Sequence, residues 1–234
     1  MKFKSSLLYP YISALLLLGI FSITSCLEGD DDSFRTTSSV VFVNVYNDAA
    51  QGVNINVDDR AWTYGYKLYD SITTYNAFYS GAHSFSAIPE GLSSAAAIAT
   101  VDQDLKGDTL YTCFLTGKTG EGKMVFFVDT MASTRLNKAK IRFVNLSPDM
   151  SKIDFGITDS ARITTNLDYL NAAYFTIDTS IHTYNVYRAG LTVPLVSIRF
   201  KPVAGAIYTM YTKGLIEREG VDSAGINYFR RVEK

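Results

Sequence analysis

The feature that most constrains this chain is that its second half repeats its first. The stretch "FVNVYNDAAQGVNINVDD" (42–59) returns as "FVNLSPDMSKIDFGITDS" (143–160), with Phe42, Val43 and Asn44 on Phe143, Val144 and Asn145, and Asp48 on Asp149. After one extra residue in the first copy, Val53, Ile55 and Val57 fall on Ile153, Phe155 and Ile157. Next, "YNAFYSGAHSFSAIPEGL" (75–92) returns as "YFTIDTSIHTYNVYRAGL" (174–191), which places His83 on His182 and Gly91 on Gly190. Finally "LYTCFLTG" (110–117) returns as "IYTMYTKG" (207–214). The spacing stays near 100 residues and shrinks slightly along the chain, as loop-length differences produce. A repeat of that length is a domain in its own right. The expected organisation is therefore two tandem domains, 39–130 and 139–234, joined by a linker at 131–138.

Within each copy the apolar residues recur with the period of a strand. In "VNINV" (53–57) Val53, Ile55 and Val57 alternate with Asn54 and Asn56, giving one buried and one wet face. Short runs such as "VVFVNV" (40–45), "AHSFSAI" (82–88) and "KMVFFVD" (123–129) are separated by turn signals. Sixteen Tyr and fourteen Phe, with abundant Ser and Thr, suit pleated, half-buried surfaces. No helix of ten or more residues is predicted beyond the opening segment. Regularly spaced short strands in units of this size predict an all-β fold of two β-sandwiches.

The opening segment is an address. Lys2 and Lys4 precede an apolar stretch, Leu7–Ile23, which is about 17 residues long and interrupted by Pro10 and Ser13. That is the lower edge for a membrane span, and the pattern reads as a signal peptide over 1–25. "Ile23-Thr24-Ser25-Cys26" resembles a bacterial lipobox, which implies cleavage before Cys26 and a lipid on its thiol. Acyl chains contribute about 0.8 kcal/mol per buried CH₂, so the expected partner of the N-terminus is a membrane. Residues 26–38 read as an acidic tether. Glu28, Asp30, Asp31 and Asp32 resemble the surface-export signal of lipoproteins from Bacteroidota, which implies an outer-membrane, cell-surface location. A solvated linker is the plainer reading. Behind Cys26 the chain carries 20 basic and 23 acidic residues, and no basic cluster suggests nucleic acid.

"IRFVNLSPDMSKIDFGI" (141–157) resembles the opening signature of the domain-of-unknown-function family DUF4397. Asn145, Ser147, Pro148, Asp149 and Asp154 lie on its strand–turn–strand pattern. Tyr174, His182, Tyr184 and Val186, and then Ala204-Gly205-Ala206-Ile207-Tyr208-Thr209, resemble its later strands. The resemblance is close in the second copy and looser in the first, where "VYNDAAQG" lacks the Ser-Pro-Asp turn. It implies an immunoglobulin-like sandwich in an exported bacterial protein and brings no activity, catalytic residue or cofactor.

Chemistry-bearing patterns are sparse. Cys113 lies in an apolar strand and reads as a small buried hydrophobe once Cys26 is lipidated. His83 and His182, the only histidines, sit at equivalent positions of the repeat and read as structural. The sequence has no G-x-S-x-G, C-x-x-C, H-E-x-x-H or P-loop pattern, so neither an enzyme nor a metal site is expected. Trp62, Tyr64, Tyr66 and Tyr69 are the candidate binding residues. Such aromatics either cover the sandwich core or stack on a glycan or protein partner. Asp-(Ser/Thr)-apolar triplets mark Ser71, Thr109, Thr130, Ser160 and Ser223. These are candidate O-glycosylation sites by similarity to exported proteins of the same phylum, or simply turn residues at strand ends. The predicted function is a non-enzymatic envelope module for binding, adhesion or structure, with glycan capture beside an uptake system as the alternative.

Overall fold

The computed structural model describes residues 36–47, 52–62, 68–129, 137–158 and 160–231. The stretch read as a signal peptide (1–25), Cys26, Glu28, Asp30, Asp31, Asp32, Tyr64, Tyr66, Thr130 and most of the expected linker lie outside the described residues.

The first copy contributes β1 (Thr37–Asn44), β2 (Val53–Val57), β3 (Arg60–Ala61), β4 (Ser71–Ile72), β5 (Asn76–Tyr79), β6 (Gly81–Pro89), β7 (Ala99–Leu105), β8 (Leu110–Thr116) and β9 (Lys123–Asp129). The second contributes β10 (Lys138–Val144), β11 (Lys152–Ile157), β12 (Arg162–Asp168), β13 (Ala172–Asp178), β14 (His182–Arg188), β15 (Pro194–Phe200), β16 (Ile207–Lys213) and β17 (Gly225–Arg230). The fold is all-β and sandwich-like, as the alternation predicts. The first strand starts two residues inside the stretch read as tether.

Each copy forms two facing sheets. In the first they run β4-β1-β8-β9, with β5 also on β1, and β3-β2-β6-β7. In the second they run β13-β10-β16-β17 and β12-β11-β14-β15. Apart from the split of β13's counterpart into β4 and β5, the order is identical. The register repeats as well. Phe42 pairs with Cys113 across the parallel β1–β8 ladder, and Phe143 with Met210 across β10–β16. The sequence repeat is thus a repeat of hydrogen-bond register.

Both central ladders are buried on two faces. One face of β1 and β8 supplies Val40, Phe42, Tyr111, Cys113 and Leu115 to the first core, where Val53, Ile55 and Phe85 meet them. The equivalent face of β10 and β16 supplies Ile141, Phe143, Tyr208 and Met210 to the second core, opposite Ile153, Phe155 and Tyr184. The opposite faces meet each other. Val43, Val45 and Phe114 pack on Val144, Leu146 and Tyr211 in a third apolar cluster. Residues Thr37–Lys234 accordingly form one compact unit. This seam explains why "VVFVN" and "LYTCFLT" are buried at every position: covered on both sides, they need no wet face.

Ions cross the seam too. Asp129 is 3% exposed. It accepts from Arg142 Nη1 at 2.6 Å, Thr112 Oγ1 at 2.8 Å, Arg231 Nη1 at 3.3 Å and the Tyr75 hydroxyl. Arg142 Nη2 donates to Thr112 Oγ1 at 2.8 Å and to Thr209 Oγ1 at 2.9 Å. Tyr111 pairs with Val128 and the equivalent Tyr208 with Arg230, so Asp129 and Arg231 are equivalent positions of the two copies. The repeat has diverged there to opposite charges that face each other.

Candidate functional site

The cleft beside Trp62 is assembled from three parts of the first sandwich. Asp58 and Asp59 both take positive φ, 51° and 61°, which gives the tight turn that folds β3 back on β2. The chain then places Trp62, whose amide donates to Ile55 O at 3.1 Å. The indole ring packs on Phe42 and Phe78, with centroids 5.3 and 5.2 Å away. Across from this hairpin, β5 contributes Ala77, Phe78 and Tyr79, and β6 contributes His83. Together with Thr37, Val57, Arg60 and Ala61 they line an open cleft of about 490 Å³.

The cleft has an aromatic side and a charged side. Trp62 is half-buried, so part of its ring remains open to the cleft, and Tyr79 is 54% exposed. On the charged side, His83 Nδ1 lies 2.7 Å from Asp58 Oδ2 and His83 Nε2 lies 2.9 Å from Tyr79 O. Asp58 Oδ1 accepts from Ser84 N at 3.0 Å. Partial burial works to raise the Asp58 carboxyl, but the Ser84 and His83 hydrogen bonds, with the His83 and Arg60 charges, outweigh it and hold the group below its ordinary range. Asp58 and Arg60 therefore present fixed charge of both signs beside an apolar wall. Such a surface can stack a ring and hydrogen-bond its rim.

The structure separates the predicted aromatic group. Trp62 belongs to the first core and the cleft, whereas Tyr69 belongs to the seam. The Tyr69 hydroxyl donates to Asn47 Oδ1 at 3.2 Å, and Lys213 Nζ sits 5.4 Å from its ring. Sequence reasoning passed over Asp58 and Arg60, left Tyr79 outside the candidate group, and assigned His83 to structure alone. His83 does tie the β2–β3 turn to the end of β5, and it lines the cleft as well. Its equivalent, His182, meets Asp178 Oδ1 at 2.9 Å.

The remaining candidates sit in turns or at strand ends. The Ser71 hydroxyl donates to Leu68 O at 2.6 Å, Thr109 to Gly107 O at 3.1 Å and Ser223 to Gly220 O at 2.8 Å. Ser160 is exposed, and its amide closes a turn on Ile157 O at 3.2 Å. Asp70 and Asp108, which precede Ser71 and Thr109, hold positive φ of 58° and 56°. Cys113 is fully buried and unbridged, and desolvation pushes its thiol well above the ordinary value. Among the described residues no group of three or more His, Cys, Asp or Glu side chains could hold a metal.

The polar signature residues of the second copy are spent inside the fold. Asn145 Nδ2 donates to Met150 O at 2.7 Å, and Asn145 Oδ1 accepts from Thr212 Oγ1 at 3.0 Å. Ser147 Oγ donates to Gly214 O, and Asp149 Oδ2 accepts from Ile216 N at 2.6 Å. Asp154 takes the amides of Asn166 and Gly190, at 2.9 and 3.0 Å. The signature thus encodes how the strands are joined.

These features define an all-β double-sandwich module with an aromatic cleft on its first sandwich. The sequence profile of the family described as Domain of unknown function (DUF4397) matches residues 38–156, just over half of the chain, and the protein belongs to that family. The match spans the first sandwich and ends in β11, so the signature at 141–157 lies at its C-terminal end. No curated protein matches the chain. Solved structures similar to it include the TIE protein of Bacillus anthracis, at 11% identity and a TM-score of 0.26 over 76% of this chain. This chain spans 34% of that protein's length. Others are the CBM26 module of Eubacterium rectale Amy13K in complex with maltoheptaose (9% identity, TM-score 0.27, covering 84% of this chain and 97% of that one) and an alpha-glucan-binding streptococcal virulence factor (9%, 0.26, 76% and 92%). Likenesses this distant carry no argument about a ligand.

Proposed function

We propose that this protein is a non-enzymatic binding module of the bacterial cell envelope, with the Trp62 cleft as its recognition site and a glycan as its ligand. The lipobox-like Cys26 and the acidic stretch behind it support a lipid-anchored, outward-facing placement. The observation that carries the binding reading is the cleft itself. A half-buried Trp62 and an exposed Tyr79 stand next to Asp58, Arg60 and His83 in an open volume of about 490 Å³. Sugar rings offer apolar C–H faces to aromatics and hydroxyl rims to carboxylate and guanidinium groups, and this wall supplies both kinds of partner.

Glycan-array binding of the full chain tests this, with Tyr79→Ala and Trp62→Ala as variants. Both should weaken binding roughly tenfold or more, the scale of losing one aromatic contact of about 1.5 kcal/mol. Absence of any bound glycan, or binding indifferent to both substitutions, removes the reading. Anchoring is checked separately with Cys26→Ala. Retention in the detergent phase together with labelling by a palmitate analogue in that variant would sink the lipoprotein assignment.

A further inference from the structure

Asp70 of the first copy gathers three side chains of the second at the seam. Lys213 Nζ donates to its Oδ2 at 2.5 Å, and the Tyr211 hydroxyl donates to its Oδ1 at 2.9 Å. Asn227 Nδ2 donates to both oxygens, at 3.0 and 2.9 Å. The aspartate is fixed by a positive φ of 58° and by its amide, which donates to Asn44 O at 2.6 Å. Lys213 lies on β16 and Asn227 on β17. Tyr211 pairs with Asn227 and Lys213 with Gly225, so Lys213 and Asn227 are diagonal neighbours on one face. Asp70 Oδ2 touches both Nζ and Nδ2, which brings the amine within reach of the carboxamide.

The repeat shows that packing alone does not require these groups. Lys213 is the equivalent of Thr116. Asn227, opposite Tyr211, is the equivalent of Val125, opposite Phe114. Asp70, bonded to Asn44 O, is the equivalent of Leu170, whose amide donates to Asn145 O at 2.8 Å. Val125 and Leu170 simply pack into the apolar seam. On the other side an amine, a carboxamide and a carboxylate stand in place of all three.

We propose that Lys213 and Asn227 join in an isopeptide bond, with Asp70 carrying the protons. Asp70 takes one proton from the Lys213 ammonium, which leaves Nζ with a lone pair. Nζ attacks Cγ of Asn227, and Asp70 passes its proton to Nδ2 and accepts the surplus proton of Nζ. The Nζ–Cγ bond forms, the Cγ–Nδ2 bond breaks, and ammonia leaves with the last proton as ammonium. The surroundings favour the first step. The Lys213 and Asp70 side chains are only 21% and 19% exposed, and the Tyr69 ring lies 5.4 Å from Nζ, so moving the proton removes two charges from a largely desolvated place. Asn227 Oδ1 accepts from Tyr228 N at 2.8 Å, a donor placed where negative charge develops during attack. The bond would clamp the edge strand β17 to β16. It does not depend on what the Trp62 cleft binds.

Mass spectrometry of the full chain, denatured and digested with trypsin, tests this. Trypsin does not cut an acylated lysine or the Lys201-Pro202 bond. The expected product is peptide 200–218, uncut at Lys213, joined to peptide 219–230 and lighter than the two together by one ammonia. Lys213→Arg puts a poor nucleophile in place of the amine and keeps the positive charge; cleavage after position 213 and a free 219–230 peptide should return. Asp70→Asn should lose the link while still unfolding cooperatively. The wild-type digest decides whether the bond exists even if a variant fails to fold. Peptides 200–213 and 219–230 recovered free and in full yield from the wild type overturn the proposal. A link from Lys213 to Asp70, lighter by one water, overturns Asn227 as the acceptor, and a link that persists in Asp70→Asn overturns the role of Asp70.

Discussion

Asp129→Ala should be among the most damaging single substitutions in this protein. The Asp129 side chain is 1% exposed and binds Arg142, Arg231, Thr112 and Tyr75. Removing it leaves two guanidinium groups, 0% and 7% exposed, facing each other without their shared carboxylate. Breaking one buried pair costs about 3–5 kcal/mol, because the surviving charge stays desolvated. For a cooperative unit of this size, about 1 kcal/mol moves the melting midpoint by about 2–4 °C, so a fall of about 6–20 °C is expected. Urea denaturation followed by tryptophan fluorescence provides the free energy. The midpoint should drop with little change in slope, since the surface exposed on unfolding is nearly the same. A double-mutant cycle with Arg231→Met isolates the pair and should show coupling above about 1 kcal/mol. A loss below about 1 kcal/mol with no coupling would refute the view that opposite charges at positions 129 and 231 hold the two sandwiches together.

Three further outcomes follow from local geometry. Gly214→Ala should destabilise by about 1–3 kcal/mol in the same assay: Gly214 sits at φ 73°, and a Cβ there would fall 2.0 Å from Ser223 O. The equivalent Gly117→Ala, with a Cβ 2.3 Å from Glu121 O, should behave alike. The Asp178 carboxyl is held at about 2 by the Ser180 amide and then by His182. A carboxyl lowered in the folded state stabilises above its unfolded value near 3.8 and loses that contribution as pH falls toward 2. Asp178→Asn should therefore flatten the loss of stability between about pH 4 and pH 2, read as denaturant midpoints against pH. Finally, the Cys113 thiol should resist maleimide labelling in the native protein and react fully in denaturant, because it is buried and its thiolate is disfavoured.

The Trp62 cleft was only partly legible in the sequence. Trp62 stood out as the only tryptophan, in an aromatic-rich stretch, and it does line the cleft. Its neighbours there did not stand out. Asp58 and Arg60 come from a hairpin turn, Tyr79 from a strand on the facing sheet and His83 from a third strand, and only the sandwich brings them together. Tyr69 misleads for the converse reason. It is seven residues from Trp62, but the sandwich has two faces, and the chain carries Tyr69 to the seam. One signal of the seam was available: Arg142 is a lone charge in the apolar run "IRFVN", as expected of a buried ion with a partner elsewhere.

Taken alone, the sequence determines the all-β class, the two copies and their common register, because strand alternation and turn residues act over a few neighbours and survive duplication. It also carries the family signature, whose polar residues close turns within their own copy. Tertiary structure decides the rest. The two copies share a third apolar layer, their equivalent positions 129 and 231 meet as opposite charges, and the aromatic group is divided between a cleft and a seam. Those outcomes depend on which sheet face meets which, and face-to-face packing is a long-range choice that no local pattern records.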